Sequence, residues 1–306
     1  MNTFGNRFRL TTFGESHGVA MGGIIDGCPA GIAIDHTFIT SELRRRREGD
    51  APFSTTLTSR KEEDLVEWLS GLKDNSLTLG TPLSFIIKNK DCRPEDYEAI
   101  SSLFRPGHAD YTYYAKYGIR DSRGGGRASG RETVSRVVAG AVAKQVLRTF
   151  GISFSTEFHD HEIDCTIRGV KAGIGNPVFD RLNARLAYAM LSIPSAMAFA
   201  MGDTPDAFRL TQHEFPDQWT LEGNAETLTQ TNHCGGIQGG ISNGMPIVFH
   251  VGFHLPPTLP EGMVCRDAEG QLHQVSPHGR HDSDHISRLP VIVEAMAALV
   301  LLDMTL

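Results

Sequence analysis

The sequence predicts an α+β protein, and three observations support that fold class. Strand-like and helix-like segments alternate irregularly along the chain, and glycine-rich turns are frequent. The chain has 306 residues, of which 40% are hydrophobic, and this is ample for a substantial core. No fixed-period repeat or low-complexity linker interrupts it. We therefore expect a single domain spanning residues 1–306.

Local patterns predict the individual elements. Segments that combine β-branched, aromatic and other apolar residues are predicted as strands: 7–12, 22–26, 82–88 and 246–253. Segments with apolar residues at helical spacing or throughout are predicted as helices: 132–150, 178–192 and 291–302. Leu182, Leu186 and Met190 lie four residues apart, as one face of a helix requires. The last segment is almost wholly apolar, which predicts a helix buried on all sides.

Charge and cysteine usage limit the possible partners and compartments. The net charge is −7, so an anionic ligand would need a local positive pocket. The run 44–47 has four arginines, but nucleic-acid binding needs many more cations, so no nucleic-acid partner is expected. The five cysteines form no C-x-x-C pair, which argues against a disulfide framework or structural zinc. The N-terminus carries no secretory pattern and no apolar run reaches ~18 residues, so we expect a cytoplasmic protein without membrane spans.

Four blocks of sequence hold the residues from which a ligand site can be built: 11–18, 105–133, 231–244 and 279–282. Glycine lets backbone approach a ligand closely, and arginine matches carboxylate and phosphate oxygens. Histidine exchanges a proton near neutral pH. The blocks predict a site for a small, multiply anionic ligand on which a proton is moved. For the glycine triplet 124–126 alone, a surface turn with scattered charge is the alternative.

In this order the four blocks resemble those of the chorismate synthase family, over nearly the whole chain from Phe4 to Asp303. The resemblance implies a β-α-β sandwich, with helices between two antiparallel sheets, assembled as a homotetramer. It also implies that reduced FMN is the cofactor of an anti-1,4-elimination. That reaction releases phosphate from 5-enolpyruvylshikimate 3-phosphate and gives chorismate. The resemblance also makes NADPH a candidate reductant of the flavin. Whether the protein uses NADPH itself or needs an external flavin reductase is left open by the sequence.

The resemblance assigns acid–base roles to His17, His108 and Asp282. His17 would protonate the departing phosphate, because an imidazole pKa of about 6.5 lies near the second phosphate-ester pKa of about 6. His108 would contact the reduced flavin and set its protonation, and Asp282 would help to deprotonate flavin N5. Each residue has a structural alternative. His17 could be a surface histidine in a turn, and His108 could be hydrogen-bonded within the loop after Pro106. Asp282 could be a carboxylate paired with Arg280.

Binding residues follow from the same resemblance. The positions that match flavin contacts are Arg127, Ala128, Ser129, Gly239 and Arg280. The substrate carries two carboxylates and a phosphate, so it needs several cations. The predicted substrate clamps are Arg46, Arg105 and Arg131, and Arg280 matches a position that contacts both ligands. Asn232 and His233 could bond a ligand by their chemistry, but no role is assigned to them.

The chain departs from the family pattern at four places. An insert between the segments that match Phe150 and Gly169 is mostly absent, and the run 159–162, His-Asp-His-Glu, stands in its place. That run lacks an obvious third ligand, so no metal site is predicted. The remaining departures are Glu48, Asp50 and Pro52 after the arginine run, His254 in place of a flavin-contacting lysine, and Ser283 and Asp284 after the aspartate of the fourth block.

Two functional hypotheses follow. The first is an active chorismate synthase with altered cofactor binding, because His17, His108 and Asp282 are all present. The second is a diverged paralogue that binds an anionic ligand or acts as an assembly partner without this activity. The changed residues Pro52 and His254 favour the second hypothesis.

Overall fold

The computed structural model describes residues 1–49, 62–91, 97, 100–220, 228–257, 262–276 and 286–306. Some residues singled out in the sequence lie outside these described ranges: Asp50, Pro52, Arg280, Asp282, Ser283 and Asp284. The predicted roles of Asp282 and Arg280 therefore have no structural description.

The strands, in chain order, are β1 (Thr3–Phe4), β2 (Arg9–Phe13), β3 (Ala20–Asp26), β4 (Glu67–Ser70), β5 (Leu72–Lys73), β6 (Leu77–Thr78), β7 (Leu83–Lys88), β8 (Ser153–His159), β9 (Glu162–Arg168), β10 (Ala196–Met201), β11 (Ile237–Gln238), β12 (Ile241–Ser242), β13 (Ile247–Phe253), β14 (Met263–Arg266) and β15 (Leu272–Val275). The helices are α1 (His36–Glu48), α2 (Asp110–Tyr117), α3 (Thr133–Arg148), α4 (Leu182–Leu191) and α5 (Pro290–Thr305).

Two antiparallel sheets enclose the main helices. The first sheet has the strand order β1-β2-β3-β7-β4, and the second has the order β10-β13-β9-β8. Helix α3 packs against β2 and β3 of the first sheet, and α5 packs against β8 and β9 of the second. The two helices also pack on each other, and α1 and α4 flank them. This arrangement confirms the predicted α+β class and the β-α-β sandwich.

The four predicted strands are present as β2, β3, β7 and β13, and the three predicted helices as α3, α4 and α5. Most predicted boundaries differ by one to three residues, and the largest error is at α4, which begins at Leu182 rather than at Val178. Val178 and Phe179 are exposed, and Asp180 has a φ of +54°. A left-handed residue cannot continue a right-handed helix, so the helix begins after it. The apolar composition of α5 is explained by its position between the sheets, where nearly all of its side chains are buried.

The central helices approach closely at Gly140 of α3. A Cβ atom built there would lie 2.3 Å from the Cβ of Ala295 on α5. Alanine in place of glycine favours a helix by about 1 kcal/mol, but overpacking a dense core costs about 1–3 kcal/mol.

We expect Gly140→Ala to lower the free energy of unfolding by up to about 2 kcal/mol, because the cost of the clash exceeds the gain in helix propensity. Urea unfolding followed by circular dichroism measures it. Gly151→Ala is unsuitable as a control because of its φ of +80°. Ala139→Gly, one residue earlier in the same buried helix, gives the propensity effect together with the loss of one buried methyl group, and introduces no clash. An increase in stability for Gly140→Ala would contradict the close packing of the two helices.

A buried ion cluster joins α1, α3, α5 and β8 inside the sandwich. Glu294 accepts hydrogen bonds from both terminal nitrogens of Arg45, at 2.9 and 3.0 Å, and from Thr156 Oγ1 at 2.8 Å. Lys144 bridges Glu294 and Glu42. Burial alone would raise the pKa of Glu294, but its bonds to Arg45 and the charge of Lys144 lower that pKa to about 2. The arginine run of α1 thus contributes one member to the core.

None of the helices in the described part of the chain is both long and apolar enough to cross a membrane.

Candidate active site

A cavity of about 1110 Å³ lies beside the first sheet, where the loop after β2 meets the segment 105–131 and the start of α5. Ligand pockets in proteins commonly span about 300–1,000 Å³, so this space can take more than one small ligand. The first two sequence blocks line it directly, through residues that include His17, His108 and the glycines 124–126.

The cavity is locally basic in an acidic chain. Among the described residues, the arginines that line it are Arg46, Arg47, Arg105, Arg120, Arg123, Arg127, Arg131 and Arg288. The carboxylates that line it are Glu15, Glu62, Asp64, Asp91, Asp110 and Asp121. Eight cations against six anions give an excess of two positive charges, whereas the whole chain carries −7. The predicted local positive pocket is therefore present.

His17 lies at the wall formed by the glycine triplet. Its Nδ1 atom is 3.1 Å from Ser16 Oγ, and its ring makes an edge contact with Tyr97 at 5.1 Å between centroids. The backbone N–H of Ser16 donates to the carbonyl of Gly126 at 3.4 Å. These contacts attach the histidine loop to the glycine turn, so the two blocks, more than 100 residues apart, form one surface.

Gly124 is required for this contact. It is buried with a φ of +86°, and a Cβ atom built on it would lie 2.8 Å from His17 Nδ1. A side chain there would be strained by the backbone conformation and would push the imidazole away.

If His17 has the predicted acid–base role, Gly124→Ala is expected to reduce turnover at least about tenfold, because displacement of a catalytic group by 1 Å can cost about a hundredfold. Steady-state kinetics measure the effect. The control is Gly31→Ala, outside the cavity lining, which has a similar φ of +80° but nothing within 4 Å of the built Cβ. Equal activity of the two variants would show that the Gly124–His17 contact has no bearing on the reaction.

His108 and His254 lie on another part of the cavity wall. His108 Nδ1 is 3.0 Å from the carbonyl of Pro106, so the Nδ1–H donates and the neutral ring carries its lone pair on Nε2. The loop hydrogen bond that was the alternative for His108 is thus present, and it orients a histidine that also lines the cavity. His254 bonds the carbonyl of Leu255 in the same way, at 2.6 Å.

Arg105 is held by a carboxylate of its own chain. Its Nε and Nη2 atoms donate to the two oxygens of Asp110, at 2.8 and 3.0 Å. Burial alone would raise the pKa of Asp110, but the hydrogen bonds and charge of Arg105 keep it below the ordinary value. Arg120 Nη1 also lies 3.7 Å from Asp110 Oδ1, so one carboxylate is shared by two arginines of the cavity.

Arg46 and Arg131 share a second carboxylate. Arg46 Nη2 donates to Asp64 Oδ2 at 2.9 Å, and Arg131 Nη1 donates to Asp64 Oδ1. Arg131 also lies 3.2 Å from Glu62 Oε1 and donates from Nε to Asn89 Oδ1 at 3.1 Å. Burial alone would raise the pKa of Asp64, yet the charges of the two arginines hold it below the ordinary value. All three predicted clamps therefore line the cavity, each bound to an acidic partner.

The predicted flavin-contacting residues divide into two groups. Arg127, Ala128 and Ser129 line the cavity. Arg127 donates to the carbonyls of Gly14 and Thr12, at 3.1 and 3.2 Å, so its side chain fastens the end of β2. Gly239 lies in the exposed turn between β11 and β12 and is not among the cavity-lining residues. Its role as a flavin contact stays a prediction.

The third block supports the fold rather than the cavity wall. Asn232 donates to the carbonyl of Pro246 at 2.8 Å and accepts from Gly236 N at 2.9 Å, which fixes the turn before β13. His233 pairs with Asp203 at 2.9 Å. Neither residue lines the cavity described here.

Sequence reasoning missed the acidic residues of the cavity and its tyrosines. Glu62 and Asp64 follow the arginine run by about 16 residues, and their alternation places both carboxylates on one side of an extended segment. That spacing was the available signal. Tyr97, Tyr113 and Tyr117 also line the cavity, and the last two belong to the tyrosine-rich helix α2.

The shortened region forms a hairpin. Asp160 and His161 join β8 to β9, and Asp160 has a φ of +50°. The ligand atoms of Glu162, Asp164 and His250 all lie within 4.8 Å of one another. His250 is buried and bonds Asp164 at 2.6 Å. This cluster contains one residue of the run 159–162, Glu162, and is completed by Asp164 of β9 and His250 of β13. The predicted absence of a metal site stays a prediction.

Comparison with known proteins identifies the family of this chain. A family model described as chorismate synthase matches residues 8–162 and 156–306. The chorismate synthase of Christiangramia forsetii is 42% identical over 351 aligned positions, which cover 99% of this chain and 96% of the relative. That of Azobacteroides pseudotrichonymphae is 40% identical over 352 positions, covering 99% and 98%. The chain belongs to the chorismate synthase family.

A solved structure titled as a crystal structure of chorismate synthase has the same fold. It aligns with a TM-score of 0.73 at 24% identity and covers 98% of this chain and 92% of that chain. At this identity the likeness concerns the fold alone.

The comparisons also locate the shortening. The alignment with the Christiangramia forsetii chorismate synthase has 351 positions against 306 residues here, so at least 45 positions have no counterpart in this chain. The two segments matched by the family model meet at residues 156–162, where the β8–β9 hairpin lies. A tight turn thus replaces a segment that other chorismate synthases carry.

Proposed function

We propose that this protein is a chorismate synthase, a carbon–oxygen lyase that removes phosphate from 5-enolpyruvylshikimate 3-phosphate and gives chorismate. The observation that supports this most strongly is the cavity, which joins two histidines to an excess of arginines in a chain of this family. The substrate is a small trianion or tetraanion, and the lining matches it in charge.

The cavity residues fit reduced FMN together with the substrate. The volume of about 1110 Å³ is large for a single small ligand. Tyr97, Tyr113 and Tyr117 offer aromatic faces to a ring system, and the arginines offer donors to its phosphate. Buried Arg46 Nε has no hydrogen-bond partner among the described residues, as expected where a ligand completes a site. We propose that Arg127, Ala128, Ser129 and Arg280 hold the flavin in this cavity. The flavin contact of Gly239, which lies outside the cavity lining, stays a prediction.

The hydrogen that the substrate loses is not acidic, so a side-chain base alone cannot remove it. Reduced FMN, when bound, supplies the electron density that makes departure of phosphate and loss of this hydrogen possible without net oxidation. The protein binds both ligands, orients them and moves protons. Arg46, Arg105 and Arg131 bind the substrate anions, and Asp282 assists proton removal at the flavin.

His17 acts as the general acid. A protonated imidazole gives its proton to the phosphate oxygen as the carbon–oxygen bond breaks. Such a transfer is nearly thermoneutral between an ordinary imidazole and a phosphate ester, whose reference pKa values are about 6.5 and about 6. Ser16 and Tyr97 orient the ring. His108 exchanges a proton at Nε2, because Nδ1–H is engaged by the carbonyl of Pro106.

Further properties follow from membership of the family. We propose that the chain forms a homotetramer of single-domain subunits in the cytoplasm. NADPH serves as the reductant of the flavin, directly or through an external reductase. No nucleic acid or membrane partner is proposed.

The second candidate is a diverged paralogue without this activity. The observation in its favour is His254, which lines the cavity where the family has a lysine and whose Nδ1–H is engaged by Leu255. A neutral imidazole at that position does not reproduce the charge of a lysine.

Complementation tests the proposed function. The gene is expressed in a bacterial strain that lacks chorismate synthase and is grown without aromatic amino acids. We expect growth with the wild-type protein and none with its His17→Ala variant. If the wild-type protein accumulates in soluble form and the strain still fails to grow, the diverged paralogue is the correct account.

A further inference from the structure

Asp64 lies between two arginines of the cavity, Arg46 and Arg131. It accepts from Arg46 on one oxygen and from Arg131 on the other. Only 2% of the Asp64 side chain is exposed, against 11% for Arg46 and 5% for Arg131. Two guanidinium groups this close repel each other in a poorly solvated site, so a carboxylate between them is needed to hold both.

The surroundings of the pair increase this need. Burial lowers the pKa of Arg46, and the neighbouring positive charges of Arg131 and Arg288 lower it further. Glu62 balances Arg131 from the far side, and the backbone N–H of Asp91 anchors Glu62 at 3.0 Å. Asp64 is therefore the one carboxylate among the described residues that contacts Arg46.

We propose that Asp64 is a positioning residue for substrate binding: it fixes Arg46 and Arg131 side by side so that Arg46 presents its remaining donors to an anionic group of the substrate. This inference rests on the proposed function and adds to it a residue to which neither the family resemblance nor the sequence blocks assign a role. Asp64 does not touch the substrate; it acts through the arginines.

The proposal makes a prediction opposite in sign to that of simple electrostatics. Removing a negative charge from the wall of an anion site raises the positive excess of the cavity, and charge alone would tighten substrate binding. The positioning role requires weaker binding, because Arg46 and Arg131 lose the group that orders them. The direction of change thus decides between the two accounts.

The test uses Asp64→Asn in the full-length protein with reduced FMN under anaerobic conditions. We expect KM for 5-enolpyruvylshikimate 3-phosphate to rise at least about tenfold, because the substrate loses about one charge-assisted hydrogen bond to Arg46. The value of kcat should fall by a smaller factor. Asp64→Glu, which keeps the charge, should recover part of the loss. In an Arg46→Gln background the further effect of Asp64→Asn should shrink, since both act on one contact.

Asp26→Asn is the control. It makes the same chemical change in an exposed ion pair with Arg9, outside the cavity lining, and should leave KM unchanged. Thermal unfolding of every variant shows whether it is folded, and Asp64→Glu carries the test if Asp64→Asn does not fold. An unchanged or lower KM in folded Asp64→Asn, or full additivity with Arg46→Gln, would overturn the proposal.

Failure of the proposed function can be told apart from failure of this inference. If the wild-type protein forms no chorismate, the same variants are compared by calorimetric titration with the substrate. Weaker binding by Asp64→Asn then supports the positioning role although the activity is absent. Turnover by the wild type with normal KM in Asp64→Asn refutes the positioning role alone.

Discussion

Replacement of His17 by alanine is expected to lower kcat for chorismate formation by about 10²–10⁴-fold, the usual contribution of a general acid. The phosphate must then leave without a proton from the protein. Binding of FMN and substrate should change little, because the cationic residues of the cavity remain. Single-turnover kinetics with reduced flavin measure the chemical step, and anaerobic titrations measure the two affinities.

A matched control for His17→Ala is His273→Ala. His273 pairs with Asp267 at 2.8 Å on the exposed hairpin β14–β15, outside the cavity lining. Its removal should leave kcat unchanged. If His17→Ala retained full turnover, His17 would not be the acid that protonates phosphate.

Substitution of Glu294 by glutamine is expected to lower the free energy of unfolding by about 3–5 kcal/mol at neutral pH, because Lys144 and Arg45 are left in the core with less negative charge than they need. The wild-type protein should also be acid-sensitive in a defined window. The pKa of Glu294 is lowered from 4.5 to about 2 in the folded state. Its contribution, about 3 kcal/mol from ~1.4 kcal/mol per pH unit, is present above pH ~4.5 and is lost as pH falls towards ~2.

Urea unfolding at pH values from 2 to 7 measures the stability loss of Glu294→Gln and the acid sensitivity of the wild type. The range includes the ordinary pKa of 4.5 and the lowered pKa of about 2. The pH dependence should be flatter in Glu294→Gln, since no carboxyl titrates at that position. Glu67→Gln serves as the control, because Glu67 forms an exposed pair with Lys88 and exposed pairs contribute about 0–1 kcal/mol. Equal acid sensitivity of wild type and Glu294→Gln would contradict the assignment.

The sequence was most informative where one element carries its own signal. The apolar period of α3 and the unbroken apolar run of α5 predicted helices that the structure places between the sheets. The same period predicted α4, but its start was set by the left-handed backbone at Asp180, which apolar spacing does not reveal. The sandwich itself came from the family resemblance, since irregular alternation alone indicates only α+β.

The sequence predicted which segments line the site but not which carboxylates pair with its arginines. The histidine loop and the glycine triplet were both recognised, and the structure joins them through Ser16 and Gly126. The acidic partners of the arginines were missed, because Asp64 and Arg131 are 67 residues apart and meet only through tertiary packing. The partner of Arg105, Asp110, lies in a recognised block, but its pairing needs the first turn of α2.

The departures from the family pattern differ in how much they change the cavity. The missing insert lies at the β8–β9 hairpin, where two residues close a turn and the sheet remains regular. Glu48 pairs with Arg47, so the added acid neutralises one arginine at the cavity. His254 changes the charge of the lining itself. The altered cavity charge, rather than the shorter hairpin, is therefore the change that bears most directly on ligand binding.

The most direct test of the central claim is anaerobic turnover of 5-enolpyruvylshikimate 3-phosphate with chemically reduced FMN, followed by chorismate absorbance and by released phosphate. A chorismate synthase forms both products in equal amounts, repeatedly for each flavin, since the reaction causes no net oxidation. Absence of both products from folded protein that still binds flavin and substrate would contradict the account and identify a binding protein that has lost the lyase reaction.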